Sequence, residues 1–214
     1  MYASLVAVAS FWSTLTDIDR QLQLDLIAKG CPLCGGPLHV ANHPRKPRGL
    51  PPGVEGAWSQ RFNTCCGHCR SRCMPPSVRF LGRRVYAGVV VMLATMHALV
   101  CGAASRTLGR WLVWWTGELP ALTYWTVLRA HLVPAVETSR LPASLLERCE
   151  CPAGTQSREG IMNALRALSP ITTGTAVRTD SDGRSIEPRL AHKMPIDSNL
   201  RDLIRRAQAP PKTT

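Results

Sequence analysis

A mainly α chain with one small β module and a partly disordered C-terminal tail is the fold class the sequence predicts. Three observations point to it. Cysteines fall in two close pairs, Cys31-Pro-Leu-Cys34 and Cys66-Gly-His-Cys69, inside a stretch too rich in Pro and Gly to be helical. Apolar residues recur at helical spacing on both sides of that stretch. Beyond Cys151 the periodicity fades and Thr, Ser, Asp and Gly take over. The 214 residues, 45% of them hydrophobic, suffice for one medium domain or two small ones.

Residues 1–30 form the first predicted unit, an N-terminal helix. From Phe11 to Lys29, Leu15, Ile18, Leu22 and Leu26 follow a helical period. Ser13 or Thr16 is placed to cap its start and Gly30 to end it. Its expected role is to pack against the cysteine module, with partner binding the alternative.

Residues 31–80 form the second unit. Two thiols three residues apart on a tight turn aim at one point, and two such knuckles supply four soft ligands. That set suits tetrahedral Zn²⁺. The expected ligands are Cys31, Cys34, Cys66 and Cys69, and the unit is expected to be a zinc ribbon with a basic loop. Cys65, Cys73, His39, His43 and His68 are alternative ligands, and a redox pair or a disulfide framework is the alternative chemistry. Four thiolates leave no open coordination position, so the metal would fold the chain and not catalyse. The run 37–56 is expected to be extended, with a strand from Trp58 to Asn63. Pro75 and Pro76 predict a stiff linker over 75–80.

Residues 81–150 form the third, helical unit. Val85 to Ala104 contains no Asp, Glu, Lys or Arg. Twenty such residues could cross a bilayer, a span of about 30 Å. His97 and Thr95 near the middle, and several Gly and Ala residues, instead favour a buried helix. A short turn near Gly102 then leads to a second helix capped by Ser105, in a helix-turn-helix arrangement. Leu108, Trp111, Leu112 and Trp115 mark its apolar face. Arg106, Thr107 and Arg110 lie at its start, where a recognition helix reads base edges. Trp111, Trp114, Trp115 and Trp125 are expected in the core, with base stacking the alternative. Further helices are predicted over 122–132 and 141–147. In the fourth unit, residues 151–214, Thr172 to Ser185 is expected to be disordered, and short helices are predicted over 161–168 and 199–208.

Charge points to the partner. Between Cys31 and Gly117 lie eleven Arg and Lys residues against one acid, Glu55. A field so free of acids suits a polyanion, and DNA is the expected partner. Arg45, Lys46, Arg48, Arg70 and Arg72 are the expected phosphate contacts. The bias of 22 Arg to 4 Lys, taken alone, could instead reflect base composition of the gene. No Gly-rich phosphate loop, G-x-S-x-G or H-E-x-x-H is present, and no carboxylate set for two-metal chemistry is evident, so no enzyme is expected. Without a cationic start before the apolar N-terminus, and with many thiols, a cytoplasmic location is expected.

Cys31-Pro-Leu-Cys34-Gly35-Gly36, the Arg-rich second knuckle and Ser105-Arg-Thr-Leu-Gly-Arg-Trp111 together resemble the DNA-binding region of bacterial transposases. Such proteins join a zinc ribbon to a helix-turn-helix whose second helix carries a Ser-Arg-Arg-Thr-Leu-Arg-Arg-Trp-like string. The resemblance covers residues 31–115. It implies DNA binding within a bacterial mobile element, with a recombinase or transposase as protein partner. The catalytic carboxylate domain of those enzymes is not evident. The functional alternatives are a membrane-associated protein with one span at 85–104 and a protein-binding adaptor.

Overall fold

The structure is a computed structural model that describes residues 2–81, 85–150 and 158–173, and the backbone of 178–179 and 185–186. Chain order begins with α1 (Tyr2–Val6) and the long α2 (Ala9–Lys29). α2 starts before either predicted cap. The Ser13 and Thr14 hydroxyls instead donate back to the Ser10 carbonyl, and Thr16 to that of Trp12. Gly30 ends the helix as expected, at φ 78° with its N–H on the Ile27 carbonyl. The buried stripe is Phe11, Trp12, Leu15, Thr16, Asp19 and Gln23, rotated from the predicted one, in which only Leu15 is fully buried.

Two small antiparallel sheets follow, so the chain is mainly α with a small β part. β1 (Leu38–Val40), β4 (Thr64–Cys66) and β5 (Arg72–Cys73) form one sheet in the order β1-β4-β5. Leu38 pairs with Cys66, and Thr64 with Cys73. β2 (His43–Pro44) pairs with β3 (Gln60–Arg61) in the second sheet. The strand predicted from Trp58 is shorter, because α3 (Glu55–Trp58) precedes it. That turn buries Trp58 edge-on between Trp12, at 5.1 Å, and Phe80, at 5.5 Å.

The predicted linker at 75–80 is core. Ser77, Val78, Arg79, Phe80 and Leu81 are buried. A buried extended segment needs partners for its backbone. The Thr172 hydroxyl accepts from Ser77 N–H, and the Asp19 carboxylate from Val78 N–H.

α4 (Gly88–Thr95) is buried along its whole length and is much shorter than the predicted helix over 85–104. It ends where His97 turns left-handed at φ 55°. There Ala98 N–H reaches the Leu93 carbonyl and His97 N–H that of Ala94, the paired bonds of a Schellman stop. Among the described residues no helix is long and apolar enough to cross a membrane, and the stretch 85–104 read as a possible span holds only the eight-residue α4.

α5 (Ser105–Val113) begins at Ser105, with Ala104 at the cap position and no side-chain cap. The connection from α4 runs from 96 to 104, longer than the three- or four-residue turn of about right-angled helix pairs. The tight helix-turn-helix expected from sequence is therefore not formed. A π-helical turn at Trp114–Glu118 continues α5 and shifts its register. Trp111, Trp114 and Trp115 are buried, while Leu112 is 41% exposed. α6 (Thr123–Ala130) buries Trp125 and Leu128, so all four tryptophans belong to the core.

α7 (Ala143–Cys149) and α8 (Arg158–Leu168) pack together, α8 through Ile161, Ala164, Leu165 and Leu168. One continuous core runs from Val6 to Leu168, and a small separate one joins Cys31, Leu38, Cys66 and Cys73. Of the stretch Thr172–Ser185 expected to be disordered, Thr172 and Thr173 instead end a 3₁₀ turn (Ser169–Thr173) with Thr172 buried, and β6 (Arg178–Thr179) pairs with β7 (Ser185–Ile186); its other residues lie outside the described ones. The helix expected at 199–208 lies outside the described residues.

Candidate metal centre

The first knuckle is built at the end of α2. Gly35 N–H bonds the Cys31 carbonyl at 2.8 Å, and Cys31 N–H bonds that of Gly36, also at 2.8 Å. These bonds close the turn that brings the Cys31 and Cys34 thiols to one side. Gly35 sits at φ 72°. Gly36 has no room for a side chain, since a Cβ there would lie 2.7 Å from His68 Nδ1. The second knuckle leaves β4 at Cys66 and re-enters β5. Cys66 N–H bonds the Ser71 carbonyl at 2.9 Å, and Cys69 N–H points at the Cys66 sulfur at 3.4 Å. Gly67 N–H on the Pro37 carbonyl ties the two knuckles together.

The four sulfurs of Cys31, Cys34, Cys66 and Cys69 all lie within 4.8 Å of one another. Cys34 and Cys66 are 3.5 Å apart, and Cys31 and Cys69 are 3.7 Å apart. Both separations are well beyond an S–S bond of about 2.05 Å, and no described cysteine is in a disulfide. Four thiolates this close repel one another unless a cation neutralises them, so the set can hold one metal ion. Surrounding donors already favour ionisation at two sites. Cys69 is drawn down to about 6 by the Ser71 hydroxyl and N–H. Burial works against ionising Cys31, but the Leu33 and Cys34 N–H groups outweigh it and lower its pKa. At Cys34 the Gly36 N–H favours the thiolate, yet shared protons with the Cys66 and Cys69 sulfurs push it up to about 11.

The alternative ligands stay outside this cluster. Successive strand residues face opposite sides, so Cys65 turns away from Cys66, toward the Arg70 carbonyl at 3.6 Å. His39 pairs with Cys65 in register. Cys73 is buried, and burial followed by the nearby sulfurs pushes its thiol up to about 12. His68 packs on Gly36. His43 Nδ1 is buried without a hydrogen-bond partner. Burial, then the charges of Arg45, Arg61 and Arg72, lower its pKa.

The predicted phosphate and base contacts separate into two groups. Lys46, Arg48, Arg70, Arg72, Arg106 and Arg110 are exposed, and among the described residues none of them makes an ion pair. Arg110 reaches only the Thr107 hydroxyl, at 3.5 Å. Arg48 is joined to the helical part by backbone bonds to Val85 and Ala87, beside Tyr86, whose ring meets Trp111 of α5 at 5.0 Å. Arg45 differs: it is half-buried, with its guanidinium 5.0 Å from the Phe80 ring centre.

Two arginines counted in the basic field belong to the interior. Arg79 Nε donates to Asp19 Oδ2 at 2.9 Å, and neither side chain has any exposure. Its other nitrogens reach the Ala57 and Gln60 carbonyls, and it lies 4.2 Å from the Phe62 ring centre. Arg61 donates to the Pro75 carbonyl and stands 3.8 Å from Asp19, and burial pulls its pKa down to about 10. The Ser77 hydroxyl completes the set on Asp19 at 2.6 Å. Sequence reasoning missed this constellation. The one available signal was Asp19 on the apolar side of α2, next to Leu15.

No family model matches the chain, and comparison with curated proteins and with solved structures finds no significant similarity.

Proposed function

We propose that this chain is a zinc-stabilised DNA-binding protein, with Cys31, Cys34, Cys66 and Cys69 as the metal ligands. Tetrahedral zinc with bonds of about 2.3 Å to sulfur has ligand sulfurs about 3.8 Å apart. The 3.5 and 3.7 Å pairs support that geometry. Two knuckles at the end of a three-stranded antiparallel sheet also fit a zinc ribbon, whose metal is structural. The DNA reading rests on one observation: six exposed cations of residues 46–110 with no carboxylate partner among the described residues. Elsewhere in the fold some surface arginines find acids, as Arg20 finds Asp17 and Arg140 finds Glu137 and Glu147, while exposed Arg129 and Arg158 reach uncharged oxygens of Thr138, Ser10 and Thr14. Unneutralised cations raise the local potential and release counterions when they meet phosphates. Arg106 and Arg110 on exposed α5 are the candidate base readers. A cytoplasmic protein of a bacterial mobile element, working beside a recombinase, is the biological setting consistent with the transposase resemblance.

The test is a salt titration of wild type and Arg106→Ala on selected and scrambled duplexes. Wild type is expected to lose affinity steeply with salt. Arg106→Ala is expected to lose about 1–3 kcal/mol on the selected duplex and much less on the scrambled one. Equal weakening on both removes the base-reading role. A wild type that ignores duplex DNA at low salt refutes the function.

A further inference from the structure

Resting on that DNA reading, we infer that the metal centre orders a phosphate-contacting residue, Arg70, so that nucleic-acid binding by the ribbon depends on the metal. The two knuckles are built alike, and the comparison singles out one position. The residue after the second cysteine of each must turn left-handed, at φ 72° for Gly35 and φ 59° for Arg70. Glycine takes that conformation freely, whereas a residue with a Cβ is strained there by about 1 kcal/mol. Arg70 therefore occupies the place glycine fills in the first knuckle, at a cost in stability, and it is exposed without an acid partner among the described residues. Backbone strain of this kind clusters at binding sites, which singles out Arg70 for a contact role.

The surroundings of Arg70 explain how the metal would act on it. Its neighbour Cys69 is a ligand, and the Ser71 hydroxyl and N–H face the Cys69 sulfur. The Ser71 carbonyl takes the Cys66 N–H, and the Arg70 carbonyl lies 3.6 Å from the Cys65 sulfur. Residue 70 thus sits between Cys69, one of the four clustered thiols, and Ser71, whose carbonyl holds the Cys66 N–H. A cation among the four sulfurs holds the loop shut. Without it nothing holds the four sulfurs to one centre, the loop is free to open, and Arg70 and Arg72 lose their fixed separation. Cations held in place bind phosphates at a lower entropic cost than cations on a mobile loop.

The experiment measures binding to a random-sequence duplex against salt, for wild type, Arg70→Gly and Arg70→Lys, each with zinc and after chelation. Zinc content and far-ultraviolet circular dichroism are read on every sample. Zinc-loaded Arg70→Gly is expected to keep its metal at least as tightly as wild type, since strain is relieved, yet to lose about 0.9 from the log-affinity slope. Arg70→Lys is expected to retain the slope. Chelation is expected to flatten the wild-type slope with helical content preserved, and to flatten that of Arg70→Gly less. A zinc-loaded Arg70→Gly that binds DNA as wild type does overturns the inference while leaving the proposed function standing. A wild-type slope unchanged by chelation overturns it equally. A wild type that binds no duplex under any condition refutes the function itself.

Discussion

Asp19→Asn removes the negative charge from the interior and leaves the Arg79 guanidinium, and that of Arg61 behind it, buried without a counter-ion. Asp19 is the only acid these two side chains are paired with among the described residues. Removing one partner of a buried ion pair costs about 3–5 kcal/mol, mainly because the remaining charge stays out of water. Asn can still accept from Val78 N–H, and Arg79 keeps the Ala57 and Gln60 carbonyls. The expected loss therefore sits near the lower end, about 3 kcal/mol, and Asp19→Ala should cost more. With a urea dependence of about 2 kcal/mol per molar, the midpoint should fall by about 1.5 M. Urea unfolding of the metal-loaded protein, followed by tryptophan fluorescence, reports directly, since Arg79 lies 5.4 Å from the Trp58 ring centre. The double variant Asp19→Leu/Arg79→Met should recover part of the loss, because it removes both members of the closest pair. A midpoint shift under about 0.3 M for Asp19→Asn, with the two sites strictly additive, would refute the reasoning.

Cys34→Ser should abolish stoichiometric metal binding, whereas Cys65→Ser should leave one metal per chain, as read by elemental analysis with native mass spectrometry. Metal loss in Cys65→Ser would mean that the ligand set is misassigned. Gly36→Ala drives a Cβ to 2.7 Å from His68 Nδ1; it should destabilise the metal module by about 1–3 kcal/mol, and His68→Ala in the same chain should relieve this. Burial, then Glu150, pushes the Cys149 thiol up to about 12. Its folded pKa thus exceeds its unfolded value, so its contribution to stability is fully present below about pH 8.5 and is lost as pH rises from there towards 12. Cys149→Ala should flatten the fall in melting temperature over that alkaline range, whatever it does to stability at neutral pH. An unchanged alkaline slope would contradict the assignment.

The four-cysteine cluster was the most legible part of the chain. A knuckle is made by bonds within a few residues, and its turn chemistry, with Gly35 and Gly36 beside the thiols, is local. The helix after Phe11 and its stop at Gly30 were legible for the same reason. The face of α2 was not, because burying Trp12 and Asp19 depends on Trp58, Val78 and Arg79, far along the chain. The apolar run 85–104 carried no sign that it would break at His97, since a left-handed non-glycine residue there contradicts local preference.

By itself, then, the sequence determined the two cysteine knuckles, the positions of several helices and the excess of cations in the middle of the chain. Each is written in residue type and short-range spacing. Only the tertiary structure decided which arginines are surface and which interior, because burial depends on what the rest of the chain brings alongside. Arg79 was counted in the same basic field as Arg70, yet one is sealed against Asp19 and three aromatic rings while the other is exposed beside the thiols. Desolvation separates them: a guanidinium enters the interior only where an acid and carbonyls await it, and those partners come from sequence-distant segments.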